Sequence, residues 1–266
     1  MPRRGAARKP AVDAAGAVTE LLIEQLLADE LMRRGGPVRK RAAGVLRDLR
    51  ALDQAVYSAV AATPTPSLDE PLRRLSNAAN DSRLWLAIAA GLAVVGGGAG
   101  RRAAVRGTVA IGVTSTLVNL AVKSLWARQR PDRSGVGIRR QRNVRMPAST
   151  SFPSGHAASG FAFAAAIGRD DPWLGLALRF LAAAVAYSRV HTGVHYPGDT
   201  VVGSLIGEGT GQAVADLMDQ LQATRKSSRG SSRGSSRGSS RSECDAKDER
   251  PDAAGQDGAE LESGAG

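Results

Sequence analysis

Polar and apolar positions are unevenly spread along the 266 residues: both ends are polar and the middle is apolar. Leu22 and Leu26 repeat at helical spacing, as do Ile23, Leu27 and Leu31, which predicts an amphipathic helix over 19–34. Gly35, Gly36 and Pro37 end it. A second pattern places Val45, Leu49, Leu52, Val56 and Val60 on one face, with Arg39, Lys40, Arg41 and Arg47 opposite. Such a stripe predicts a helix packed on its own chain, which is the favoured reading. The alternative is a basic helix lying on anionic lipid. Thr63-Pro64-Thr65-Pro66 breaks the pattern.

Beyond residue 66 the character changes. Residues 84–100 are nearly all Leu, Ala, Val, Ile and Gly, with Trp85 at the edge, where interfacial aromatics sit. Arg101 and Arg102 predict a charged break, and 103–122 is apolar again apart from Arg106 and a few Thr, Ser and Asn. Further runs cover 157–168 and 173–187, separated by a turn at Arg169-Asp170-Asp171-Pro172. The last run, 200–218, carries Gly203, Gly207 and Gly211, a small-residue ridge suited to close helix packing in a bilayer. A crossing helix wants about 20 apolar residues. The run 157–168 is too short alone and needs extension through Ser154 and Gly155. Five weakly polar runs joined by short charged turns predict an all-α integral-membrane bundle of about five to six helices, in preference to an Ala-rich soluble bundle. The expected organisation is a basic, amphipathic segment over 1–66, a membrane domain over 67–222, and a tail over 223–266.

Averages conceal this pattern. A hydrophobic content of 42% and a mean hydropathy of −0.18 describe an ordinary soluble chain. The formal charge of +11 is carried largely outside the apolar runs. Residues 1–16 lack the apolar stretch of a secretory signal. From Arg225 onward Ser-Ser-Arg-Gly occurs three times in succession, followed by an acidic, Gly-rich end. That composition predicts a disordered, solvated tail, and no specific nucleic-acid partner is expected. Cys244, the single cysteine, excludes an intrachain disulfide and a cysteine metal cluster.

The chemistry lies near the three histidines, His156, His191 and His195. Lys123 and Arg130 are seven apart in Lys123-x6-Arg130-Pro131, so on a helix they share a face and can converge on one anion. Alone, the pair reads better as snorkelling anchors. Pro153-Ser154-Gly155-His156 precedes an apolar run, so Ser154 and Gly155 lie at a helix N-terminus, where free N–H groups favour phosphate. Alone, this is an ordinary serine cap. In Ser188-Arg189-x5-His195-x3-Asp199, the carboxylate four residues after His195 can take its Nδ1 proton and leave Nε2 free to attack. Arg189 adds a planar cation matched to phosphate oxygens. His191 is expected to be supporting or structural.

Together and in this order, the three motifs resemble the type 2 phosphatidic acid phosphatase superfamily over roughly 67–220. The stretches Ser151 to His156 and Tyr187 to Asp199 look especially like bacterial members, and the amino-terminal part is similar to actinobacterial ones. The resemblance implies that Lys123, Arg130 and Arg189 bind phosphate, helped by Ser154 and Gly155. It implies His195 as nucleophile, Asp199 as its orienter and His156 as the acid that protonates the leaving oxygen. It implies no metal and no cofactor. The expected activity is hydrolysis of a lipid phosphomonoester or diphosphate through a phosphohistidine, in a multi-pass plasma-membrane protein whose site faces outward as the resemblance implies, whereas the Lys- and Arg-rich stretches 1–83 and 123–145 read as cytoplasmic by the positive-inside rule. Candidate substrates are phosphatidic acid, phosphatidylglycerol phosphate and polyprenyl (di)phosphates. Alternatives are a vanadate-dependent haloperoxidase-like enzyme and a basic membrane or nucleic-acid adaptor. Members often have six spans where this sequence offers five, and it sets no oligomeric state.

Overall fold

The structure, a computed structural model, describes residues 36–122, 128–133 and 140–245. The predicted helix over 19–34 and Lys123 lie outside the described residues. Among the described residues the ordered elements are helical. They are α1 (Pro37–Ala62), α2 (Pro66–Ala78), α3 (Arg83–Val95), α4 (Gly97–Thr116, continued by a π-helical turn Leu117–Val122), α5 (Gly155–Gly168), α6 (Pro172–His191) and α7 (Pro197–Asp245). The chain divides into two units, 1–215 and 216–266, and the first contains every site residue discussed below.

The local signals act where elementary chemistry says they should. Pro37, Pro66, Pro172 and Pro197 each open a helix, where a missing N–H costs no hydrogen bond. Asp171 caps α6 by accepting the Leu174 N–H at 3.0 Å. The predicted turn at Arg169–Pro172 is present. The predicted break at Arg101–Arg102 is not: both arginines lie exposed inside α4. The chain turns instead at Gly96 and Gly97, where Gly97 adopts φ +57°, a region glycine enters without steric cost.

The bundle is packed from small residues. Ala103, Ala104, Ala110, Ala157, Ala158, Ala162, Ala164, Ala166 and Ala182 are buried around Phe163, Ile167 and Trp85. Trp85 is 1% exposed and stacks 5.6 Å from Phe163, so it is a core residue and not an interfacial anchor. Gly160 leaves the room it occupies. The large apolar side chains point outward: Val94, Val95 and Trp173 are more than 80% exposed. They are joined by Val105, Val109, Leu120, Phe180, Val201 and Leu205. A core rich in alanine beneath a surface that exposes many Val, Leu, Phe and Trp side chains departs from the order of a water-soluble bundle. In lipid the interior gains nothing from apolarity, and close approach of backbones holds the helices together. Residues 97–120 and 172–191 are each long and apolar enough to cross a bilayer unaided. The fold is an all-α membrane bundle.

A further difference from the sequence reading concerns α1. Its apolar stripe Val45, Leu49, Leu52 and Val56 stays exposed. The helix packs on the chain instead through Asp53, Tyr57 and Ala61, on the neighbouring face.

Candidate active site

Two loops meet where α6 ends and α7 begins. One is the connection Thr192–Tyr196, in which Gly193 takes φ +68° and reverses the chain. The backbone N–H groups of Val194 and His195 both donate to the Arg189 carbonyl, at 2.9 and 3.2 Å. This tight turn buries His195 directly beside the helix that carries Arg189. The other loop is 128–133. Arg130 crosses to donate from Nη1 to the Val194 carbonyl at 3.0 Å, and it is anchored by the carbonyls of Ser149 and Thr150.

Arg130 Nη1 also lies 3.2 Å from His195 Nε2. A guanidinium can only donate, so Nε2 must present a lone pair and the proton resides on Nδ1. Nδ1 faces Asp199 Oδ2 at 3.5 Å and Ser151 Oγ at the same distance. Asp199 is buried and held on both oxygens. Oδ2 accepts the Tyr196 N–H at 2.9 Å and the Ser151 hydroxyl, and Oδ1 accepts Arg128 Nη1 at 2.8 Å. Burial pushes the His195 imidazole down to about 4, helped by the positive charges of Arg130 and Arg189 and opposed by Asp199. At neutral pH the ring is therefore uncharged and its Nε2 is nucleophilic.

Arg189 is also buried, and its Nη1 donates to Ser76 Oγ on α2 at 2.6 Å. Its Nε and Nη2 have no partner among the described residues. Two unspent donors on a buried cation are costly unless something fills them, and their fork matches two oxygens of a phosphoryl group. Arg133, in the same loop as Arg130, likewise has a buried, unpartnered Nη2, and donates otherwise to Gly193 and Val144 carbonyls.

The Pro153–His156 segment adjoins the same point. Ser154 N–H donates to the Asp199 carbonyl at 2.9 Å, and its hydroxyl caps α5 by accepting the Ala157 N–H. Gly155 and His156 form the first turn of α5 beside a cavity of about 260 Å³ that is also lined by Ser115, Asn119 and Ser159. His156 Nε2 sits 3.0 Å from Asn80 Oδ1. His191 belongs to a separate buried cluster. Its Nε2 meets Thr65 Oγ1 at 2.9 Å and Asp69 Oδ1 at 3.2 Å, and Arg142 ties Asp69 to the carbonyls of Val60 and Thr63. This cluster staples the α1–α2 connection to the end of α6, the structural part expected of it.

Of the residues singled out in the sequence, Arg130, Ser154, Arg189, His195 and Asp199 are thus joined by direct contacts, with Gly155 and His156 on the adjoining helix turn. Lys123 lies outside the described residues. Ser151, Arg128, Asp53, Ser76 and Arg133 were not singled out. Ser151 and Arg128 fall inside or beside the motif stretches. Ser76 and Asp53 carry no sequence signal, because they arrive from distant helices.

The sequence profile of the PAP2 superfamily matches residues 104–222. Decaprenylphosphoryl-5-phosphoribose phosphatase of Mycolicibacterium smegmatis is 33% identical over 152 residues, covering 56% of this chain and 77% of that protein. The protein of the same name from Mycobacterium tuberculosis is 41% identical over 91 residues, 34% of this chain. The chain spans about half, 48%, of the length of that relative. Among solved structures, Aquifex aeolicus LpxE has a TM-score of 0.51 at 22% identity, covering 62% of this chain and 95% of its own. The transmembrane PAP2 type phosphatidylglycerolphosphate phosphatase of Bacillus subtilis has a TM-score of 0.50 at 20% identity, covering 77% of this chain and 96% of its own. At those identities the two structures share the fold.

Proposed function

The chain belongs to the PAP2 superfamily, and from that premise we propose that it is a membrane lipid phosphatase working through a phosphohistidine. The observation that carries the reading is the pair of buried Arg189 donors without a partner among the described residues, beside an imidazole whose Nε2 is unprotonated. That is a seat for a phosphoryl group with a nucleophile already aimed at it.

In the first step His195 Nε2 attacks phosphorus and the bond to the lipid oxygen breaks. His156 gives that oxygen its proton. Asp199 holds the Nδ1 proton as the ring becomes positive. In the second step water attacks the phosphohistidine, losing its proton to His156, and inorganic phosphate leaves with the His195 nitrogen restored. Arg130, Arg189 and Lys123 balance the charge on the equatorial oxygens, with Ser154 and Gly155 beside them, so no metal is required. The cations act where charge develops in the transition state.

The substrate is a lipid phosphomonoester or diphosphate whose headgroup lies at the membrane surface. The relatives' name favours a polyprenyl-linked sugar phosphate over phosphatidic acid and phosphatidylglycerol phosphate. We place the protein in the plasma membrane with the site facing outward, the usual orientation of the resembling family. The test is phosphate release by purified protein in detergent, offered a panel of polyprenyl, glycerol and sugar-linked lipid phosphates. Release from none of them, by protein that is folded, overturns the reading. Labelling of cysteines placed in the 128–133 loop by an impermeant reagent on intact cells reports the orientation.

A further inference from the structure

Helix α1 lies outside the residues that match the family profile, yet it reaches the candidate site. Asp53 Oδ2 accepts Arg128 Nη2 at 2.6 Å, and Asp53 Oδ1 accepts the Gly198 N–H at 2.6 Å. Arg128 Nη1 in turn donates to Asp199 at 2.8 Å. The guanidinium bridges two carboxylates, and its Cζ lies 4.1 Å from the centroid of the Tyr196 ring. Tyr57, one turn beyond Asp53 on α1, meets the same ring edge-on at 5.3 Å. A Cβ on residue 198 would stand 3.1 Å from Asp53 Oδ2, so glycine there lets the carboxylate seat against the start of α7.

We propose that Asp53 and Arg128 are positioning residues: they fix Asp199 so that His195 stays unprotonated and aimed, which makes α1 a working part of the site. The proposal rests on the phosphohistidine reading above. Both terminal nitrogens of Arg128 are spent on carboxylates, so it acts on the attacking ring and not on the bound phosphate. Asp199 is fully buried, and Arg128 is the strong cation on its Oδ1. Without that partner the carboxylate draws a proton toward itself, and the nearest site for one is His195. The charged and polar groups facing His195 are Arg130 from the 128–133 loop, Arg189 from α6, Asp199 from α7 and Ser151 from the loop before α5. None of the others replaces Arg128 on Asp199 Oδ1.

The experiment compares wild type with Arg128→Gln, Arg128→Lys, Asp53→Asn and the double variant Asp53→Asn/Arg128→Gln, using a short-chain polyprenylphosphoryl-5-phosphoribose in detergent micelles. It reads kcat, KM, trapped phosphoenzyme against pH, and the thermal midpoint. Arg128→Gln is expected to lower kcat roughly 10- to 100-fold, the scale of one hydrogen bond to a charged group, with KM within about twofold. The pH below which phosphoenzyme fails to form should rise. Arg128→Lys should recover part of the loss. Asp53→Asn should move both readouts the same way by less, and add little in the double variant, because the two act as one unit. A raised KM with unchanged kcat overturns the proposal, as does an unmoved pH limb or full additivity. Loss of kcat without a pH shift in a variant of lowered thermal midpoint marks a merely structural role and also overturns it. No trapped phosphoenzyme in the wild type removes the phosphohistidine reading itself, whereas phosphoenzyme that is indifferent to all four variants removes only the relay.

Discussion

Arg130 Nη1 and His195 Nε2 stand 3.2 Å apart, a cation directed at the lone pair of the proposed nucleophile. The contact makes protonation of that nitrogen unfavourable and reserves it for phosphorus. When a phosphoryl group enters, the same guanidinium can turn its donors onto the equatorial oxygens. In the proposed mechanism one side chain thus serves both the nucleophile and the phosphoryl oxygens.

The first expectation concerns pH. With the His195 imidazole held down to about 4, Nε2 should remain unprotonated through the whole neutral range. Because the neutral ring is the active form, its contribution to activity is present above that value and is lost as pH falls through it. The same group favours folding above the ordinary histidine value, about 6.5, and that contribution declines as pH falls from there toward 4. Nitrogen NMR of labelled histidine in detergent-solubilised protein measures the midpoint directly. A midpoint at or above the ordinary value contradicts the geometry.

Arg189 should be unforgiving. Its Nε and Nη2 are the unspent donors, and two hydrogen bonds to a charged group at roughly 1.5–3 kcal/mol each correspond to a loss of about 10²–10⁴-fold in phosphate release for Arg189→Ala. Arg189→Lys should restore little, since an ammonium lacks the planar fork. Steady-state rates on a lipid phosphate decide it, with rescue by lysine the contrary result.

His156 and His195 should fail differently. His195→Ala removes the proposed nucleophile and with it any phosphoenzyme on any substrate. His156→Ala removes a general acid, an effect of roughly 10²–10⁴-fold. That effect should shrink on p-nitrophenyl phosphate, whose leaving group departs without a proton. The informative quantity is the ratio of variant to wild-type rates on the two substrates; equal damage on both means the roles are misassigned.

Activity should persist in EDTA, because arginine and lysine side chains carry the charge a metal would otherwise supply. Vanadate should compete with substrate, since it adopts the five-coordinate shape of the transferring phosphoryl group and can bond to His195 Nε2. Initial rates with chelator and with vanadate at concentrations on the order of typical KM values test both. Restoration of an EDTA-inactivated enzyme by Mg²⁺ would count against the assignment.

Gly207→Ala should destabilise the bundle by about 1–3 kcal/mol, the usual penalty for overpacking, because a Cβ there collides with the Ala158 carbonyl. The thermal midpoint in detergent should fall by several degrees. Gly209→Ala, two residues on and open to its surroundings, is the control that should leave it unchanged or raised.

What the sequence made legible follows from how local each signal is. The helix starts at Pro66, Pro172 and Pro197 are decided within a few residues. Arg189, His195 and Asp199 stand at spacings that the turn Thr192–Tyr196 converts directly into proximity, whereas Arg130 arrives from the 128–133 loop, 65 positions from His195. Arg101 and Arg102 suggest a break by charge alone, whereas backbone conformation at Gly97 decides where the chain turns. Trp85 misled because an aromatic at the end of an apolar run fits a core as well as an interface. The stripe on α1 was correctly seen as apolar, but periodicity cannot tell which medium a face meets. Ser76 and Asp53 were beyond reach for a different reason: their partners are 113 and 75 positions away, and nothing in a serine or an aspartate announces such a pairing.

Gly203, Gly207 and Gly211 bring α7 so close to α5 that a methyl group on any of them would strike the carbonyl oxygen of Ser154, Ala158 or Ala162. The two helices therefore meet backbone to backbone, with no side chain as a spacer. One carries the Ser154–His156 turn and the other the Asp199 turn, so the seam works as a calliper whose jaws cannot be reset by ordinary substitution.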